Sequence, residues 1–222
     1  MSPIAEPTIR SGPTRVLAGI TVSDTPLITG ALDFARAHSE PYLFNHAVRS
    51  WLFAVRLAQI DGVPHDAEVV AVGTLLHDLG LTSDFSGPKR FEIEGADAAR
   101  TFARTQGMDD RRVQLIWDSV ALNSTPSIGL YKEAEVALCT GGIGVEFGFQ
   151  YDRIPPREMQ SILAAFPRLE MKRRFKDSVC RVVTTKPETT YDNFAGDFGE
   201  RFVPGYRRPS TVDLLMNAPF EE

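Results

Sequence analysis

The chain holds four histidines, His38, His46, His65 and His77, and two of them fall in its most apolar stretches. His77 stands in Leu75-Leu76-His77-Asp78-Leu79-Gly80. His46 stands 31 residues upstream, in Phe44-Asn45-His46-Ala47-Val48-Arg49. A carboxylate set among leucines needs a cation or several donors, because burying it unpaired is costly. Two arrangements meet that need. His77 and Asp78 can form a hydrogen-bonded pair at a helix end, or they can bind a divalent ion with His46 nearby. Neighbours on an α-helix point about 100° apart, so both reach one ion only over the helix edge, near its C-terminal end. Gly80 and the polar loop after it leave that space open.

The elements that must position these residues are legible as helices. Asp24-Thr25-Pro26 opens one in the usual way, a capping side chain followed by proline in the first turn. From Phe44 to Ile60, apolar residues recur three and four apart (Ala47, Val48, Trp51, Leu52, Val55, Ala58), and Asp61-Gly62 ends the run. His65-Asp66 opens the next helix. Val69, Val72, Leu75, Leu76 and Leu79 make it apolar on most sides, as in a central buried helix, and Gly80 stops it. Further helices are expected over 95–106, from Asp109 or Asp110 to Leu122, and over 133–147, 156–166 and 169–183. Period-2 runs are few. The fold class expected is all-α, a single bundle of about eight or nine helices. Residues 1–23 read as an extended arm, 24–185 as the helical domain and 186–222 as an irregular tail packed on it. That tail is rich in Thr, Asn, Asp, Gly and aromatics, and Ser210 caps a short last helix.

Composition sets bounds on function. The chain has 222 residues, 43% hydrophobic and 24% charged, which excludes wholesale disorder. A net charge of −5 argues against a uniformly basic surface for nucleic acid. No stretch approaches the roughly 18 apolar residues of a membrane span. Cys139 and Cys180 read as thiols in a reducing compartment. The expectation is a cytoplasmic protein acting on a small molecule, with neither nucleic acid nor membrane as partner; the aromatic tail leaves a homo-oligomer open. Cys139-Thr140-Gly141-Gly142-Ile143-Gly144 lacks the Gly-Lys-Ser/Thr of a phosphate loop and reads as close helix packing. The basic run Arg168, Lys172, Arg173, Arg174 and Lys176 reads as a solvated face paired in part with Glu170 and Asp177.

Four segments together resemble the HD-domain metal-dependent hydrolases, and within them the cyanamide hydratase-like branch. They are Asn45-His46-Ala47-Val48-Arg49-Ser50, Leu75 to Thr82 around His77-Asp78, Arg90-Phe91-Glu92-Ile93-Glu94-Gly95-Ala96 and Thr190-Tyr191-Asp192-Asn193-Phe194. The resemblance runs from about residue 25 to 206. It implies an HD-type helical bundle with one divalent metal held by His46, His77 and Asp78. The metal expected is zinc, with iron(II) or manganese(II) as alternatives. The family's fourth ligand is an Asp on a later helix, and Glu146 stands at the matching place. Asn123 stands where relatives often carry His, and Asn cannot shuttle a proton at neutral pH. Asp78 and Asn123 are the catalytic candidates. Arg90, Glu92 and Asn193 are the substrate-binding candidates, with a structural Arg90–Glu92 pair and an aromatic plug at Phe194 as the plainer readings. A second metal is not expected, because His38 and His65 are poorly placed. The chemistry implied is addition of water to a nitrile-like carbon through a metal-bound hydroxide, of the cyanamide-to-urea type. The alternatives are an HD phosphohydrolase using Lys89 and Arg90, or an HD scaffold that binds a ligand without turnover.

Overall fold

Prolines and short polar caps fix where the helices begin. The computed structural model describes residues 12–208 and 210–220. Helix α1 (Pro26–His38) is capped by the Thr25 hydroxyl, which accepts from the Ile28 N–H at 3.3 Å. Helix α2 (Pro41–Asp61) starts on a proline, one turn before Phe44, and ends on Gly62 with φ of 62°, a left-handed position that suits glycine. Asp66 caps α3 (Ala67–Leu75) by accepting from the Glu68 and Val69 N–H groups. Then follow α4 (Phe91–Thr105), α5 (Asp110–Ala121), the single turn α6 (Pro126–Gly129), α7 (Ala134–Glu146), α8 (Pro156–Ala165), α9 (Met171–Thr185), α10 (Ala195–Phe202) and α11 (Thr211–Met216). Apart from one small hairpin, the described residues are all-α. The described residues form eleven α-helices rather than eight or nine, the extra ones being the short α6 and α10.

Helix α2 is the axis of the fold. It packs on α7, α3 and α9, and Val48, Trp51, Leu52 and Ala54 along it are buried. Its approach to α7 is set by Gly142. A Cβ there would lie 2.4 Å from the Ser50 carbonyl oxygen and 2.6 Å from the Ala54 Cβ. The glycine run is thus a helix-packing device, as its lack of phosphate-loop residues implies.

Two sequence-based expectations need correction. The extended arm of 1–23 is in part an antiparallel hairpin, β1 (Thr14–Leu17) and β2 (Ile20–Ser23), with Ile20 and Val22 buried in the main core; residues 1–11 lie outside the described residues. Its turn uses Ala18 and Gly19 at φ of 50° and 86°, and an Ala in that position gives no sequence signal. The helix carrying His77 ends at Leu75, not Leu79. Leu76 to Asp78 form a turn, followed by a short 3₁₀ segment at Leu79–Leu81. Gly80 is required where this segment crosses α4, since a Cβ there would lie 1.8 Å from the Phe91 carbonyl oxygen.

The tail beyond α9 docks through specific bonds. The buried Lys186 Nζ donates to the Gly87 and Lys89 carbonyls at 2.9 and 2.6 Å. Phe194 and Phe198 pack on Phe175 of α9, with ring centroids 6.1 and 6.2 Å apart. No helix among the described residues is long and apolar enough to cross a membrane.

The two neighbouring glycines of α7 make opposite predictions. Gly142→Ala should lower the stability to urea by about 1–3 kcal/mol or more, because it overpacks the α2–α7 contact. Gly141→Ala meets only the Leu57 side chain at 3.5 Å, an ordinary contact, and should be neutral or stabilising by up to about 1 kcal/mol. Equal midpoints for the two variants would contradict this account of the packing.

Candidate metal centre

The end of α3 solves the problem that adjacent residues pose on a helix. Leu76 and Asp78 leave helical geometry, at φ/ψ of −107°/6° and −105°/12°, so His77 and Asp78 turn towards the same point. His46, on α2, reaches that point from the facing side. The His46 Nε2 and His77 Nε2 atoms lie 3.1 Å apart, and Asp78 Oδ2 lies 3.4 and 3.2 Å from them. Bonds of about 2.0–2.1 Å to a tetrahedral ion would put its ligand atoms about 3.3 Å apart. The three observed separations fit a single ion at their centre.

The outer contacts fix which atoms face inward. His77 Nδ1 donates to the Thr74 carbonyl at 2.7 Å, and His46 Nδ1 donates to Glu146 Oε2 at 3.1 Å. Both protons therefore sit on Nδ1, and both Nε2 atoms present lone pairs to each other. Asp78 Oδ2 is buried without a hydrogen-bond partner. Two lone pairs and an orphaned carboxylate oxygen, all buried, make a cluster that a divalent cation at its centre would satisfy. The donor set of two imidazoles and one carboxylate suits zinc, iron(II) or manganese(II). Burial pushes the Asp78 carboxyl up, but the His77 and His46 rings beside it outweigh this and hold it below the usual carboxylate range. Burial opposes a charged His46, yet the Asp78 and Glu146 carboxylates offset this and raise its pKa above 6.5.

Glu146 is not part of the cluster. Burial pushes its carboxyl up, but Arg49 and His46 more than offset this and hold it well below the usual range. Arg49 Nε and Nη2 donate to its two oxygens, each at 2.7 Å, and Arg168 Nη1 lies 3.4 Å from Oε2. With both oxygens engaged and His46 Nδ1 between it and the cluster, Glu146 orients His46 from behind. Placing Glu146 among the ligands is thus corrected: the extra methylene of Glu carries the carboxylate to Arg49. Arg49 was not singled out from sequence, although a buried Arg four residues before Phe53 on an apolar helix face is itself a signal that a carboxylate waits nearby.

Asn123 reaches the site in a role that excludes proton transfer. Its Nδ2 donates to the carbonyls of His77 at 3.1 Å and Val120 at 2.8 Å, which uses both amide protons. The oxygen Oδ1 remains, and Asn123 lines the cavity beside the cluster. It is an acceptor that also pins the His77 backbone.

The substrate-binding candidates stand behind the cavity wall. Arg90 donates to Glu92 at 3.0 and 3.3 Å and to Asp192 at 2.8 Å. Glu92 is fully buried; it also accepts from the Ser124 hydroxyl and from Asn193 Nδ2 at 3.4 Å. None of Arg90, Glu92 and Asn193 lines the cavity. They form one network that braces Ser124 and Phe194, which do. The resemblance implies substrate contacts for all three, and the structure puts them one layer behind the cavity lining.

The cavity over the cluster measures about 170 Å³. Its floor carries His46, His77, Asp78, Asn123 and Thr140, and its walls carry Ile143 and the rings of Phe147, Phe149, Phe175 and Phe194. Among the described residues no lysine or arginine lines it. The Lys89 ammonium pairs with Asp97 at 2.7 Å, on the surface. The basic run pairs with acids, Arg173 with Glu170 and Asp177, and Arg174 with Glu40.

The HD domain pattern matches residues 43–164, more than half of the chain, from α2 through α8. The protein belongs to the HD-domain family. HD domains bind divalent metals, and the family consists in general of metal-dependent hydrolases. Residues 43–164 include all three cluster residues as well as Arg49 and Glu146, while Phe175 and Phe194 lie beyond the matched span. No curated protein matches the chain.

The geometry separates the inner from the outer residues experimentally. His77→Ala should reduce bound zinc from one equivalent to below about a tenth, because a donor of the ion is gone. Glu146→Gln should keep one equivalent, with affinity weakened about 10–100-fold through the loss of His46 orientation. Full metal loss in Glu146→Gln at saturating zinc would return Glu146 to the ligand set. Glu146→Ala should instead cost about 3–5 kcal/mol of stability, because it strands the buried Arg49.

Proposed function

We propose that this HD-domain protein is a metal-dependent hydratase or hydrolase that adds water to a small neutral nitrile-like carbon–nitrogen substrate, of the cyanamide-to-urea type. The observation that carries the reading is the character of the cavity over His46, His77 and Asp78: small, walled by phenyl rings, and lined by no cation among the described residues. A phosphate ester would bring charge into this space and find no Lys or Arg to meet it. Lys89 and Arg90, the cations a phosphohydrolase would draw on here, are held by Asp97, Glu92 and Asp192.

A divalent ion bound by His46, His77 and Asp78 would lower the pKa of a water and polarise the substrate. The remaining work falls to the chain. Asp78 offers its second carboxylate oxygen to take the proton from the attacking water. Asn123 Oδ1 accepts from an N–H of the substrate and so turns its carbon towards that water. The phenyl walls exclude bulk water, which strengthens each of these contacts. Asn in place of a titratable His leaves proton transfer to Asp78 alone.

Urea release from cyanamide by zinc-, iron- and manganese-loaded protein tests the reading, run beside hydrolysis of nucleotides and p-nitrophenyl phosphate. Urea production that is lost in His77→Ala is the expected result. Turnover of phosphate esters without urea release would overturn it in favour of a phosphohydrolase.

A further inference from the structure

The cavity is larger and more aromatic than the smallest carbon–nitrogen substrates require. At about 30 Å³ per water, its 170 Å³ corresponds to five or six waters, whereas cyanamide has the bulk of about two. An apolar cavity of about 150 Å³ takes a benzene molecule. The polar atoms are confined to the floor, where His46, His77, Asp78 and Asn123 meet. Apart from Ser124 and Thr140, the rest of the lining is apolar: Pro126, Ile143, Gly144 and the four phenyl rings.

Two of those rings mark the way out. Phe175 is buried and Phe194 half-buried, but Phe147 and Phe149 are 50% and 66% exposed while still lining the cavity. Both sit at the C-terminal end of α7, where the chain turns on Gly148 at φ of 94°. Phenylalanines half or more exposed at the mouth of a cavity leave apolar surface open to solvent. Phe147 and Phe175 already make an edge contact at 5.9 Å, and Phe175 stacks on Phe194 at 6.1 Å. A further flat ring in the cavity that these side chains line would meet their faces and edges.

We infer that the substrate carries an apolar, aromatic substituent on its carbon–nitrogen group, seated between Phe147, Phe149, Phe175 and Phe194 with the reacting carbon over the His46–His77–Asp78 floor. This rests on the hydration reading only for the reacting group; the aryl seat stands on the cavity alone. For an arylcyanamide the reaction balances as addition of one water. Its oxygen bonds to the nitrile carbon, both its protons end on the nitrile nitrogen, and the aryl urea forms with nothing leaving.

Calorimetric titration of the zinc-loaded 222-residue chain with urea and with phenylurea tests the seat without turnover. Phenylurea should bind at least about tenfold more tightly, the gain from burying a ring. Phe149→Ala, at an exposed position that the fold does not need, should reduce that ratio threefold or more, and Phe147→Ala should do the same. Equal affinities, no measurable binding of either, or a ratio unchanged in both variants overturns the inference. Turnover of cyanamide and phenylcyanamide then separates the two claims. A phenylurea preference without release of either urea keeps the aryl seat and sinks hydration. Urea release with no phenyl preference does the reverse.

Discussion

Everything at this site follows from two imidazole lone pairs and one carboxylate oxygen forced together in a buried interior. His46 Nε2, His77 Nε2 and Asp78 Oδ2 lie within 3.4 Å of one another. Such a cluster repels itself unless a cation fills it, and the protein pays for the arrangement with the packing around it. The Thr74 carbonyl and Glu146 determine the tautomers, so the lone pairs face inward. The Asn123 amide holds the His77 carbonyl and with it the unwound end of α3.

The packing that brings the cluster together depends on small residues at two crossings. Gly142 lets α7 approach α2 closely, which places Glu146 on Arg49 and behind His46. Gly80 and Gly95 let the turn after Asp78 lie on the start of α4. The tail beyond the HD match then closes the cavity with Phe194, braced by Arg90, Glu92 and Asn193 and tied down by Lys186. Chemistry and enclosure thus come from different parts of the chain: the donors from 43–164, part of the apolar wall from beyond it.

Much of this was legible in the sequence because it rests on local rules. The caps at Thr25, Asp66 and Asp109, the stop at Gly62 and the apolar faces of α2 and α3 place His46, His77 and Asp78 on adjacent elements. The resemblance to HD proteins supplies the grouping. What escaped depends on contacts between distant residues. The early end of α3 has no breaker in Leu76-His77-Asp78; it is imposed by the crossing at Phe91. The position of Glu146 depends on Arg49, 97 residues away, and a ligand and a residue that orients a ligand look alike in sequence. Arg90, Glu92 and Asn193 carry functional-looking chemistry that the structure spends on one another. The hairpin was missed because four-residue strands with an Ala-Gly turn fall below any periodicity signal.

The central claim is that one ion sits on three donors with Glu146 outside them. A crystal structure of the zinc-loaded protein with anomalous data at the zinc edge tests it most directly. The account predicts a single anomalous peak within bonding distance of His46 Nε2, His77 Nε2 and Asp78 Oδ2, with Glu146 still clasped by Arg49. A peak elsewhere, two peaks, or Glu146 swung off Arg49 onto the ion would contradict it.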